Sequence, residues 1–508
     1  MEDLLSQDEY QAIADKMVFP ANAHINGKFT SAKSGETYAT INPATGKKLA
    51  DIAACGKEDL DYAVKKGRQA FDSGVWSRMH PAERKEIMIH LVKLMKRHRY
   101  ELAVLESLDS GKPIRDCAWL DLPETIHCIA WYAEAADKLY HQMSPTTDDA
   151  MGLIVREPIG VVACILPWNF PLMMFGWKVG PALASGNSVI VKPAALTSMT
   201  ALRVAELAAE AGIPPGVLSI LPGRGSRIGE AIGLHPDIGA ISFTGSTEIG
   251  RRLLQYSAQS NLKRINLELG GKCPAVVLED AENLDSVAEY VVYGAFWNMG
   301  ENCTSNCRLI VHQKIKDDLL RRVLDKLRDW KTGDPLEPSN ALGAMVSQDQ
   351  FDTVMRYIAE GKKAGANLVA GGEPLALGQG LFIPPTIFDD VTPDMVIAKE
   401  EIFGPVLSVL TVRNDAQAIQ TANDTPYGLQ ASLFTGNMKK ALRAARDLQA
   451  GTVSVNCYNE GDITTPFGGY KLSGLAGRDK SLQAFEQYMQ TKTIWIDLSD
   501  HEVDACLD

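Results

Sequence analysis

The chain has no lysine or arginine run, no uninterrupted apolar stretch of membrane-spanning length and few cysteines, and each shortage removes a class of function. A net charge of -12 over 508 residues, with no basic block, argues against a nucleic-acid or anionic-membrane surface and leaves small molecules as the expected partners. The most apolar stretch, "IGVVACILPWNFPLMMFGW", is broken by Pro167, Asn169 and Pro171 before it reaches the ~18 residues of a span. The opening "MEDLLSQDEYQAIADKMVFP" is acidic and amphipathic and has no basic region before an apolar core, so the expected compartment is the cytoplasm. The nine cysteines, at 55, 117, 128, 164, 273, 303, 307, 457 and 506, are scattered and odd in number, which is no disulfide framework. The histidines add no short pairing except His312, five residues beyond Cys307, so no metal site is expected.

What is present is a globular composition, 45% hydrophobic and 22% charged, long enough for about three domains. From residue 159 onward short β-branched runs ("IGVVACIL", "SVIVKP", "VLSILPG", "IGAISF") alternate with helical patterns and Gly/Pro punctuation. That alternation predicts an α/β fold with a doubly wound parallel sheet covered on both faces. A second series, "CPAVVLED", "RLIVHQKI", "PVLSVLTV" and "GTVSVN", predicts a second α/β domain. Residues 61–140 read as mostly helical, with "AERKEIMIHLVKLMKRHRYELAVLESL" as an amphipathic helix. Near the end "KTIWIDL" alternates like a strand without a partner nearby in sequence, a candidate for pairing across subunits.

Chemistry gathers in four segments. "GENCTSNC" carries Cys303 and Cys307, readable either as packed thiols or as a nucleophile with a bystander. "PWNFP" sets Asn169 directly after a predicted parallel strand, where its side chain is either a turn residue or an amide donor to an oxyanion. "NLELGGK" puts Glu268 in an apolar run, as a salt-bridged strand residue or a general base with a raised pKa. "FTGSTEIG" opens a helix after Gly245 with Ser246 as a cap, a site for a phosphate. Just upstream, Gly223, Gly225 and Gly229 form G-x-G-x-x-x-G, one residue longer than the usual dinucleotide spacing.

Taken together with "TINPATGKKLA", "VKPA", "EEIFGPV" and "PFGGYKLSG", these segments resemble the aldehyde dehydrogenase superfamily over nearly the whole chain. The tail "NCYNEGDITTPFGGYKLSG…GRDKSLQAFEQY" is most similar to the group that oxidises gamma-glutamyl-gamma-aminobutyraldehyde and guanidinobutyraldehyde. The resemblance implies a Rossmann-type cofactor domain from residues 1–140 and 159–273, a catalytic domain over 274–473, and a small oligomerisation β-flap from 141–158 and 486–500. It implies Cys303 as nucleophile, with Glu301 where glutamine is common, Asn169 as oxyanion donor and Glu268 as general base. Lys178 with Asp479 resembles a proton-handling pair in which many relatives carry Glu instead of Asp. Cofactor contacts fall on Ile165, Leu166 and Trp168, on Lys192 and Ala195, and on Gly225 and Gly229. Further contacts are Phe243, Gly245, Ser246 and Leu269, then Glu401 and Phe403. Many NAD-preferring relatives carry Glu at the position of Ala195, so the resemblance implies NAD with NADP also used.

For the substrate the resemblance points to a tunnel formed by Phe170, Trp177, Asn302, Thr304, Phe467 and the loop Tyr458–Ile463. Glu460 and Asp462, with Asp121 and Glu124, are expected at its mouth beside Trp177, Tyr458 and Phe467. There they would favour a cationic ω-amino or guanidino aldehyde, or a gamma-glutamylamino aldehyde, by ion pairing and cation–π contact. Gly461 is expected to leave the tunnel wide, and a broad range that includes 3-hydroxypropionaldehyde or indole-3-acetaldehyde is the alternative. A homodimer or homotetramer is implied, and oxidation could join Cys303 to Cys307.

Overall fold

The computed structural model describes residues 4–499; the last position of the expected flap range, 500, and Cys506 lie outside the described residues. Five parallel strands form the centre of an eight-stranded sheet. Their spatial order is Leu218–Ile220, Ser188–Lys192, Val161–Ile165, Ala240–Thr244 and Arg264–Glu268; Ala23–Ile25 and then Lys28–Thr30 extend one side antiparallel, and Gly474–Leu475 closes the other. The strand order reverses between Val161–Ile165 and Ala240–Thr244. Val161–Ile165 reads as a continuous apolar run because both faces are covered, and Ala240–Thr244 departs from that pattern at Ser242 and Thr244.

The two-residue period of a strand sorts their side chains between two layers. Val162, Cys164, Val189 and Val191 face one way, into the helices Pro81–Arg97, Leu122–Ala135, Pro171–Ala184 and Met199–Ala211. Val161, Ala163, Ile165 and Ile190 face the other, onto Lys57–Ser73 and Thr247–Gln259. Pro171–Ala184 is apolar almost all round, and all fourteen of its residues are buried. The long amphipathic run expected as one helix is two, Pro81–Arg97 and Arg99–Ser110, broken at His98, whose ring nitrogen contacts Glu101.

A second, seven-stranded sheet has its parallel strands in the order Thr386–Asp389, Val406–Val412, Arg308–His312, Pro274–Val277, Gln430–Phe434 and Thr452–Val455. It too is covered on both faces. The terminal strand Met489–Asp497 does find a partner in its own chain, pairing antiparallel with Ala150–Pro158 through nine residue pairs. Gln142–Ser144 completes this three-stranded sheet, and among the described residues no strand pairs with the outer edge of Met489–Asp497. Among the described residues no helix is long and apolar enough to cross a membrane.

Candidate active site

A cleft of about 650 Å³ opens where the strand order reverses, the place where doubly wound sheets bind ligands. Every residue assigned above to cofactor contact lines it. Ser246 caps the helix Thr247–Gln259, its Oγ accepting from the Ile249 N–H at 3.4 Å, so a helix start with its positive dipole end forms part of the wall. Lys192 is buried with no acidic partner among the described residues, and burial pulls its ammonium down to about 8. Glu401 accepts the Gly271 N–H at 2.9 Å, and burial pushes its carboxyl up to about 7. Phe403 sits at φ 57, held by a Gln350 Nε2 donation to its carbonyl at 2.7 Å and edge-on against Trp168. Side chains at Gly225 and Gly229 would meet nothing within 4 Å, so the floor there is open. A spare ammonium, a carboxylate and a capped helix start fit the ribose hydroxyls and pyrophosphate of a dinucleotide, and position 195 carries no carboxylate to repel a 2′-phosphate.

Three successive left-handed residues, Asn298, Met299 and Gly300, turn the chain into Cys303, and a Cβ at Gly300 would collide with the Gly404 carbonyl. Such strain persists only where the surroundings enforce it. Cys303 is half-buried and lines both the cleft and a second, inner cavity, which share only Asn169, Thr244, Leu269 and Cys303. Burial pushes its thiol well up, and the nearby carboxylates of Glu460 and Glu401 add to this, so the resting group is the thiol. The Cys273 thiol donates to the Cys303 carbonyl at 3.5 Å. The Cys307 thiol is buried by Lys272 and Cys273.

Asn169 follows the strand Val161–Ile165, and its Nδ2 donates to the Glu301 carbonyl at 3.0 Å, which aligns it with the cysteine segment. Glu268 ends its strand, is 6% exposed, and keeps Oε2 without a hydrogen-bond partner. Burial, then the charge of Asp479, pushes its carboxyl well up, the setting of a general base. The Lys178 ammonium reaches Asp479 at 2.8 Å despite the shorter acid, and also donates to Ser242 Oγ at 3.1 Å. Gln487 holds the other Asp479 oxygen at 3.0 Å.

The inner cavity is lined by Phe170, Met173, Met174, Trp177, Asn302, Glu460 and Phe467 with the catalytic candidates. Several expectations for it are corrected. Asp121 is not at a mouth: it is 0% exposed and ion-paired to Lys112, which neutralises it inside the protein. Asp462 is exposed and turns back to accept from the Thr464 N–H at 2.7 Å, so it is a solvated loop charge. Gly461 is an exposed turn residue at φ 72, not a tunnel wall. Thr304 and Tyr458 stand behind the wall, joined to each other at 2.9 Å and to Asn302, where they fix Asn302 and Glu460. Of the acids expected at the mouth, Glu460 alone lines the cavity, and burial pushes its carboxyl up.

Sequence reasoning missed three groups. Lys112 Nζ and Asn298 Nδ2 each donate to the Asn169 carbonyl at 3.2 Å and so lock the amide donor from behind. Lys480 is 2% exposed and lies 5.0 Å over the ring of Trp177 and 6.0 Å from that of Phe467, the aromatic faces expected to greet a substrate cation. The only sequence signal was its place after Asp479 in "GRDKS". Among the described residues no group of three or more His, Cys, Asp or Glu could hold a metal ion.

A cleft built for a dinucleotide that ends on a cysteine thiol is the arrangement of a cysteine-dependent oxidoreductase. The chain matches the aldehyde dehydrogenase family over residues 29–494, and it belongs to that family. It is 54% identical to an aminoacetaldehyde dehydrogenase of Pseudomonas aeruginosa, over 98% of this chain and 100% of that one. It is 45% identical to the NADP/NAD-dependent aldehyde dehydrogenase PuuC of Escherichia coli, covering 93% and 95%. Among solved structures, the indole-3-acetaldehyde dehydrogenase of P. syringae in complex with NAD+ superposes with a TM-score of 0.96 at 49% identity, covering 97% and 100%. The gamma-glutamyl-gamma-aminobutyraldehyde dehydrogenase of Burkholderia cenocepacia gives 0.95 at 46%, again covering 97% and 100%.

Proposed function

We propose that the chain oxidises an ω-amino, guanidino or gamma-glutamylamino aldehyde to its carboxylic acid with NAD or NADP, in the breakdown of amines or polyamines in the cytoplasm. The observation that carries the reading is that Cys303 forms the common wall of the cofactor cleft and the inner cavity. The Cys303 thiol gives its proton to water, its sulfur adds to the aldehyde carbon, and the Asn169 amide donates to the oxygen that becomes negative. A nicotinamide held in the cleft lined by Lys192, Ser246 and Glu401 would supply the hydride acceptor that lets the thiohemiacetal carbon on Cys303 become a thioester. Glu268 then takes a proton from a water, whose oxygen attacks the thioester carbon, and the carbon–sulfur bond breaks to release the acid and restore the thiol. Lys178 and Asp479, beside Glu268, form a route for that proton.

Glu460 in the inner cavity supports a cationic substrate, as does the likeness to an aminoacetaldehyde dehydrogenase. A broader range that reaches 3-hydroxypropionaldehyde or aromatic aldehydes is the second reading, supported by the likeness to an indole-3-acetaldehyde dehydrogenase. Ala195 in the cleft and the relative named for both cofactors support use of NADP beside NAD. The open edge of the three-stranded sheet supports a homodimer or homotetramer joined by the flap. The domain division is the one given by the resemblance, with the stretch around Gly474–Leu475 added to the cofactor side.

The test is steady-state kinetics on cationic, neutral and aromatic aldehydes with each cofactor, with Cys303→Ala as the blank. We expect acid production without coenzyme A, turnover of the cationic aldehydes, and a Glu460→Gln variant whose KM rises for these alone. A requirement for coenzyme A, or turnover by the Cys303→Ala protein, would overturn the mechanism.

A further inference from the structure

Lys480 follows Asp479, whose backbone pairs with that of Phe467 through hydrogen bonds of 2.7 and 2.8 Å in both directions. Lys480 and Ser481 are then both left-handed, at φ 61 and φ 50, and neither is glycine. That strained pair turns the lysine inward. Its Nζ donates to the carbonyls of Glu460 at 3.1 Å and Gly461 at 2.9 Å, and it lies over Trp177 and Phe467, which meet edge-on with ring centres 5.1 Å apart. Both rings and Glu460 line the inner cavity. The rings that could receive a substrate cation therefore already have one over them. Of the three carboxylates in the cavity wall, Asp479 is paired to Lys178, burial pushes the Glu268 carboxyl well up, and Glu460 has the Lys480 ammonium on its own backbone carbonyl.

We propose that Lys480 is a specificity-determining residue that cancels the charge of Glu460 and fills the cation site of Trp177 and Phe467, so that the inner cavity selects only weakly between cationic and neutral aldehydes. This rests on the reading of the cavity as the aldehyde site and deepens it. A guest guanidinium or ammonium entering beside the two rings meets attraction from Glu460 and repulsion from Lys480, which act on each other as well, so the two oppose in their effect on the guest. Glu124 bears on both groups and adds negative charge from the neighbouring helix Leu122–Ala135, while Asp462 acts on Lys480 from the solvated loop.

The test compares kcat/KM for 4-guanidinobutyraldehyde and for its neutral isostere 6-methylheptanal. The ratio is expected to rise about tenfold in Lys480→Met, the scale of one uncancelled unit charge facing a cation across a partly screened cavity. It should stay near the unaltered protein's value in Lys480→Arg and return to it in Glu460→Gln/Lys480→Met. Lys480→Gln, whose amide can still bond one loop carbonyl, carries the same expectation as Lys480→Met should that variant not fold. A ratio that falls, or that stays fixed while both substrates lose activity together, overturns the proposal and leaves Lys480 a support for the loop. Should the unaltered protein oxidise neither aldehyde, the parent reading fails and this one with it.

Discussion

Asn169 makes its side-chain hydrogen bond to a carbonyl that does not depend on it, since the Glu301 oxygen also accepts from Asn298 Nδ2 at 2.9 Å. Asn169→Ala therefore leaves no orphaned acceptor, and its loss falls on catalysis rather than stability. Transition-state stabilisation should drop by about 3 kcal/mol, on the order of a hundredfold in kcat, while the melting temperature changes little. Unchanged turnover would remove Asn169 from the reaction. The places of Asn169, Glu268 and Cys303, where a strand ends or a glycine turn begins, show in local patterns, while the roles given to them came with the family resemblance. Asp121 and Lys480 could not. The first loses its charge to a buried lysine nine positions upstream, and the second acquires its meaning only where residue 480 lies over rings from 177 and 467.

At the scale of elements, the helix Arg99–Ser110 buries Glu106 completely, its two oxygens accepting from the Leu172 N–H at 3.0 Å and the Thr200 hydroxyl at 2.8 Å. Burial pushes this carboxyl up to about 7, against the pull of Lys112 and with a smaller push from Asp121. A folded-state value above the unfolded one stabilises most below the usual carboxylate range, and that benefit fades as pH climbs to about 7. Glu106→Gln can keep both bonds, with its amide donating to Thr200, and never ionises. Its melting temperature should match the unaltered protein near pH 5 and exceed it at pH 8, by at most about 3 kcal/mol of stability. Equal curves at both pH values would mean that Glu106 stays charged in the fold. Helix periodicity gave no warning of this, because a residue on the buried side of an amphipathic pattern is read as apolar packing. The break at His98 was equally silent, since Pro81–Arg97 and Arg99–Ser110 carry one unbroken apolar rhythm.

For the whole molecule, the alternation of strands and helices announced two covered parallel sheets. Their spatial order could not be read, because the pairings join segments up to some hundreds of residues apart. "KTIWIDL" shows the limit: its strand character was plain, while its partner Ala150–Pro158 lies more than three hundred positions away. The far edge of that strand offers unpaired backbone groups with Ile494, Trp495 and Ile496 exposed. Light scattering should give a mass that is a multiple of the 55.3 kDa chain, and Ile494→Lys with Ile496→Lys should lower it, because lysines on an edge strand oppose pairing. An unchanged mass would place assembly on another surface.

The narrow wall between the two cavities has a consequence for traffic. Because the cofactor cleft and the inner cavity meet only at Asn169, Thr244, Leu269 and Cys303, an occupant of one leaves the other vacant. The product acid should therefore inhibit competitively against the aldehyde and not against the dinucleotide, and a reduced cofactor should show the reverse. Acid that competes with the dinucleotide in initial-rate plots would mean that the two ligands share a doorway.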